Sequence, residues 1–279
     1  MFSLLSSFIV NFSSYVPPGC LITLPVAFIG DPSKSLAIYQ QEFIGTLLMI
    51  GFTFSCGKWI GEDSIPIAWA SHAVGVIAAD RMGGGQHVNP SVTVTMWSLG
   101  KCTYEEMLVR IAGAMCGGLV AFPLFQRLSD GMEWTALGGP TYNVEGDEDG
   151  SSSAASEFFA TFLLLITIFV VNWELNFGKY HYWIKQSLTA LAIRFLIEVF
   201  PTAGPAMNPM LGTTWFVFAS GAYAEDVKHY FVYWIASIAG GLLAGFCYVV
   251  YAGGTFFGEK LAIGPMKEVK TVAEGKKDK

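Results

Sequence analysis

Two short stretches decide how this chain reads: Gln86-His87-Val88-Asn89-Pro90-Ser91 and Ala206-Met207-Asn208-Pro209-Met210. Glycine precedes each one, as Gly83 to Gly85 and as Gly204, and an apolar run follows each, residues 90–99 and Pro209–Ser220. At about 1.5 Å per residue, such a run covers only about half of a bilayer's hydrocarbon core. Asn is a favoured helix N-cap and Pro a favoured first helical residue, so each pair starts a half-helix. Irregular backbone at membrane depth is tolerated only inside protein or beside a water-filled cavity.

The rest of the chain supplies the membrane. Of 279 residues, 53% are hydrophobic and only 14% charged, where ordinary soluble domains carry about a quarter charged. Six spans are expected at residues 36–57, 65–79, 104–125, 155–173, 183–200 and 229–252. The five cysteines (Cys20, Cys56, Cys102, Cys116, Cys247) show no C-x-x-C spacing, which argues against a disulfide framework or a zinc site. No phosphate loop, nucleophile–base pair or metal cluster is legible, so neither an enzyme nor a cofactor or metal is expected. The net charge of −6 says little by itself, but the lysines sit at the tail and not in a basic face, so no nucleic-acid partner is expected.

The two stretches sit in matching contexts. Span one carries Glu42-x-x-x-Thr46 and span four Glu157-x-x-x-Thr161. Span three carries Gly113-x-x-x-Gly117 and span six Gly241-x-x-x-Gly245, small-residue pairs that let helices approach closely. Three spans per half is an odd number, so the second half enters from the opposite face. That is an inverted repeat, with its site at the repeat interface. The two half-helix N-termini then meet near the midplane, each with about half a positive charge. A cation arriving there is repelled and a neutral oxygen is held.

With these residues in view, the chain resembles the aquaporins, the major intrinsic proteins, over about residues 36–252. The resemblance rests on Glu42/Thr46, Glu157/Thr161, His87 to Ser91, Gly204 to Pro209 and the glycine pairs. It implies an all-α membrane fold, six transmembrane helices plus two re-entrant half-helices, acting as a passive channel for water or small neutral solutes such as glycerol. It also implies four subunits, each with its own pore. The pore centre carried over is Asn89, Pro90, Ser91, Asn208, Pro209 and Met210. Ser91 and Met210 replace the family's alanines, and Leu211 stands where its filter arginine is common. Counting back from the two Asn residues gives Trp69, Leu196 and Pro205 as the other filter positions. Together these four make an apolar constriction, as in the divergent, unorthodox members (superaquaporins). Such a ring implies slow water and tolerance of glycerol.

Several residues admit two readings. Glu42 and Glu157 could relay protons, but the repeat gives each re-entrant loop its own carboxylate and favours support of unwound backbone. His87 could sense pH or simply be satisfied by its loop. Two residues make about 200° of helix, so if Leu196 faces the pore Arg194 faces away, paired with Glu198 one turn on. Arg110 lies near enough to the inner surface to snorkel. Competing functions are a proton-coupled transporter using Glu42, Glu157, Arg194 and Glu198, and a non-conducting structural protein.

The chain divides into an apolar interfacial segment (1–35), a first repeat (36–127), an acidic outer loop (128–154), a second repeat (155–252) and a charged tail (253–279), disordered from Glu259 on. Basic residues (Lys34, Arg81, Lys101, Lys179, Lys185 and the tail lysines) place both termini in the cytoplasm. On that topology the sequon Asn11-Phe12-Ser13 is silent. Lys276 and Lys277 resemble an endoplasmic-reticulum retrieval signal; without it the plasma membrane is the expected home.

Overall fold

The computed structural model describes residues 25–26, 29–59, 65–131, 139–141, 147 and 149–267. The Asn11 sequon, most of the apolar N-terminal segment and the Lys276–Lys277 pair lie outside them. Eight main helices follow one another among the described residues: α1 (Pro32–Trp59), α2 (Ile65–Gly83), α3 (Pro90–Ser98), α4 (Tyr104–Gly131), α5 (Ser151–Phe169), α6 (His181–Val199), α7 (Pro209–Ser220) and α8 (Val227–Ala252). Helix α5 runs on through a π turn, Val170–Glu174, and α8 contains another, Phe231–Ala236. Helix α4, the continuous segment Ser151–Glu174 and α8 each hold a stretch long and apolar enough to cross a bilayer.

The packing is two-fold. Helix α1 packs on α4 and on α2; α5 packs on α8 and on α6. The half-helices cross over: α3 packs on α8 and α7 on α4, so each lies against the last helix of the other repeat. Small residues permit these approaches. A Cβ on Gly113 would meet Tyr39 O at 2.6 Å, and one on Gly241 would meet Thr95 Oγ1 at 2.6 Å. Where two helices run this close there is no room for a side chain, and van der Waals packing replaces the hydrophobic effect that lipid cannot supply. The outward faces stay apolar, with Phe159, Leu163, Leu188, Phe195, Ile235 and Phe246 exposed, as suits helices solvated by lipid.

Two boundaries differ from expectation. Helix α5 begins at Ser151, inside the presumed outer loop, because Asp147 takes Ser152 N (3.0 Å) and Ser153 N (2.7 Å) at its first turn. Residues 259–267, where disorder was expected, belong to a folded segment that begins at 253. Thr255–Phe256 pairs antiparallel with Glu259–Lys260, and Phe257 N donates to Ser98 O at 2.7 Å beneath the end of α3. Charge along this segment hid three aromatic contacts: Phe257 on Trp97, Phe256 on Phe246, and Phe256 on Phe257.

Candidate functional site

The starts of α3 and α7 are built alike. Asn89 and Asn208 are extended (φ −142° and −154°) and cap their own half-helices, Oδ1 accepting from Ser91 N at 2.9 Å and Met210 N at 3.1 Å. Each amide then reaches across the two-fold. Asn89 Nδ2 donates to Met207 O at 2.8 Å, and Asn208 Nδ2 donates to Val88 O at 2.9 Å. Val88 and Met207, the residues just before, both hold φ at +49°, a left-handed conformation costly for a β-branched valine.

Two carboxylates hold these loops open. Glu42 accepts from His87 N and Val88 N, both at 2.8 Å. Glu157 accepts from Ala206 N at 2.6 Å and Met207 N at 2.9 Å. Both carboxylates are fully buried, and a buried anion persists only where hydrogen bonds replace water. The halves differ in charge. Arg110 does not snorkel; it turns inward, with NH1 on Glu42 Oε1 at 2.6 Å, and braces on Glu106 at 2.9 Å. No cation stands beside Glu157 among the described residues.

A cavity of about 680 Å³ passes through this meeting point. Toward one end stand Asp80, Lys185 and Asn172, with Tyr182 OH on Asp80 (2.7 Å) and Lys185 Nζ on Asn172 Oδ1 (2.9 Å). Midway it passes His87, Val88, Asn89, Met207 and Asn208, opposite the apolar Val76 and Leu164. Its other end is bounded by Pro140, Pro201 and Pro205. Both half-helices aim their N-terminal dipoles at the middle of this passage.

The structure sorts the sequence-derived residues into three groups. Asn89, Asn208, His87, Pro205 and Leu211 line the cavity; His87 Nδ1 also meets Thr93 Oγ1 at 3.2 Å. Glu42 and Glu157 lie behind the loops. The third group lies off the lining. Pro90, Ser91, Pro209 and Met210 are buried in the first turns of α3 and α7, facing protein. Ser91 Oγ donates to Ser237 Oγ at 3.1 Å, and Ser237 meets Thr161 Oγ1 at 2.9 Å. Met210 fills the space over Gly118, where a Cβ would come within 2.5 Å of its sulfur.

Trp69 and Leu196 also stand off the lining, which corrects the four-residue apolar ring. Leu196 is 3% exposed, in a core cluster with Met207 and Leu164, and α6 presents Ile193, Arg194 and Ile197 to the cavity. Counting back from Asn208 assumed a fixed loop, whereas residues 200–206 turn twice, with Gly204 N on Pro201 O (3.0 Å) and Gly204 at φ +52°. Sequence reasoning therefore missed Arg194 as a lining residue, and missed His72 on α2 altogether. An ionisable residue inside an apolar span was the signal for His72.

Comparison with known proteins follows the same lines. Residues 33–248 match the family described as Major intrinsic protein. A Nicotiana tabacum protein named probable aquaporin TIP-type RB7-5A is 27% identical over 248 residues, covering 82% of this chain and 93% of that one. Aquaporin TIP2-3 of Arabidopsis thaliana is 25% identical over 263 residues, covering 87% and 97%. Among solved structures, the aquaglyceroporin from Plasmodium falciparum is similar in fold, with a TM-score of 0.62, 21% identity, and coverage of 76% of this chain and 95% of that one.

Proposed function

The chain belongs to the major intrinsic protein family, integral multi-pass channels for water or small solutes and not enzymes, and on that footing we propose that it passes water and small neutral solutes such as glycerol while excluding ions. One observation carries this reading: two half-helices start face to face on a single cavity, each capped by an Asn whose amide also ties down the opposite loop. Each Asn spends one amide hydrogen on that tie and keeps the other for the passage. A column of neutral oxygens can accept those hydrogens. A cation meets two positive helix ends and little to replace its hydration. The TIP-type aquaporin names of the relatives agree with water as one permeant. Leu211, Pro205 and Ile197 leave an apolar wall at the outer end that suits the carbon chain of a polyol.

The likeness to the unorthodox members rests on Ser91, Met210 and Leu211. Assembly as a homotetramer, cytoplasmic termini, and retrieval to the endoplasmic reticulum through Lys276 and Lys277 belong to the same proposal. Replacing both lysines by Ser moves a tagged protein outward if that signal is read.

Stopped-flow light scattering on proteoliposomes, under water and glycerol gradients, tests the permeants. Fast flux of both, without uphill accumulation, supports a passive channel. Accumulation driven by a pH gradient makes the protein a proton-coupled transporter instead. Absence of flux for either solute makes it a non-conducting structural protein.

A further inference from the structure

Helix α6 runs from the inner to the outer side, so Arg194, five residues from its end at Val199, lies about 7–8 Å inside the outer end. His72 lies seven residues into α2, about 10 Å from the same side. The two helices pack on one another, and both side chains line the cavity.

Their hydrogen bonding is incomplete. Arg194 NH2 pairs with Glu198 Oε1 at 2.9 Å, one turn outward. Arg194 Nε and His72 Nε2 are buried with no protein partner, as is Nε1 of Trp69, one turn outward from His72 on the same face of α2. Buried polar atoms without partners are costly, and the two on Arg194 and His72 belong to side chains from facing helices that both line the conduit. Leu211 and Pro205 supply apolar surface to the same lining.

We infer that Arg194 from α6 and His72 from α2 form the polar pole of the selectivity constriction. The charge that Leu211 lacks thus enters from a transmembrane helix. This rests on the channel reading above. The constriction combines fixed donors with hydrocarbon. It selects small neutral solutes that carry an acceptor oxygen on a short carbon frame, and it adds a cationic barrier outside the two Asn caps.

The experiment pairs flux with accessibility. In proteoliposomes, Arg194→Gln shifts the glycerol-to-water permeability ratio by about tenfold, the worth of one charged hydrogen bond, and admits a potassium leak absent from wild type. Arg194→Lys restores potassium exclusion but not the ratio. A wild-type ratio and no leak in Arg194→Gln overturn the inference. Accessibility decides placement without any flux. Ile197→Cys is alkylated by iodoacetamide in the membrane and Leu196→Cys is not, each read by mass against wild type. The reverse pattern puts Arg194 outside the conduit and overturns the inference even if the glutamine variant fails to insert. A wild type that labels as expected yet passes neither solute sinks the channel reading and leaves the α6 register standing.

Discussion

Asn89 and Asn208 each give their amide to the carbonyl of the residue that precedes the other, Asn89 to Met207 at 2.8 Å and Asn208 to Val88 at 2.9 Å. The two re-entrant loops are therefore one unit. Replacing Asn89 by Ala removes the cap on Ser91 N and leaves Met207 O unpaired, at a cost of about 2 kcal/mol. Asn208→Ala costs about the same. Because the double variant breaks one shared unit, its cost falls short of the sum of the two singles. Thermal unfolding in detergent gives the coupling, and strict additivity would separate the loops.

Glu42 and Glu157 serve equivalent loops in different electrostatic settings. Among the described residues, Glu42 holds Arg110 as well as two N–H groups, while Glu157 holds N–H groups alone. Glu42→Gln leaves Arg110 NH1 without its buried carboxylate while Glu106 still holds Nε and NH2, at a cost of about 1–3 kcal/mol. Adding Arg110→Met removes the half-paired charge, so the double variant is more stable than Glu42→Gln alone. A double variant that unfolds earlier than Glu42→Gln would show that Arg110 supports the fold independently of the carboxylate.

The third position of each motif faces protein. Met210 is fully buried against Gly118 and Thr214, and Ser91 against Ser237. Met210→Ala opens a cavity and destabilises by about 3 kcal/mol, with the glycerol-to-water ratio unchanged per inserted molecule. Ser91→Ala costs about 1 kcal/mol, since Ser237 keeps Thr161. A changed ratio in either variant would place these side chains in the conduit.

The half-helices were legible because Asn-Pro carries its own physics: a cap, a ring that pre-sets φ, and too few apolar residues behind it to span. The pairing of the halves followed from Glu42, Glu157 and the glycine pairs, because an odd number of spans forces inversion. The register of α6 was not legible. Lipid, core and conduit all accept Ile, Leu and Phe, so periodicity alone does not say which of Ile193, Leu196 or Ile197 faces the passage, and the turns at Pro201 and Gly204 shift any count made from Asn208. The tail failed for another reason. Its lysines and glutamates describe solubility, whereas its order comes from a distant partner, Trp97 at the end of α3.

That docking makes the last prediction. The carbonyl at the C-terminal end of α3 needs a donor, and Phe257 N provides one to Ser98 O. Phe257 covers Trp97 with ring centroids 5.2 Å apart, and Lys267 pairs with Glu174 at the end of the α5 π turn. Truncation after Gly254 strips all three contacts. The thermal midpoint falls by several degrees, while water flux per inserted molecule stays at the wild-type level, because the segment is not among the residues that line the cavity. The Lys267 ammonium is held above the ordinary lysine range by its hydrogen bond to Glu174. A raised value in the fold means that the contribution is complete below the ordinary range and is lost as pH rises through the raised value. Lys267→Met is therefore less stable than wild type at neutral pH, and the two midpoints converge in alkali. A gap that persists there shows that Lys267 stabilises the segment by something other than its charge.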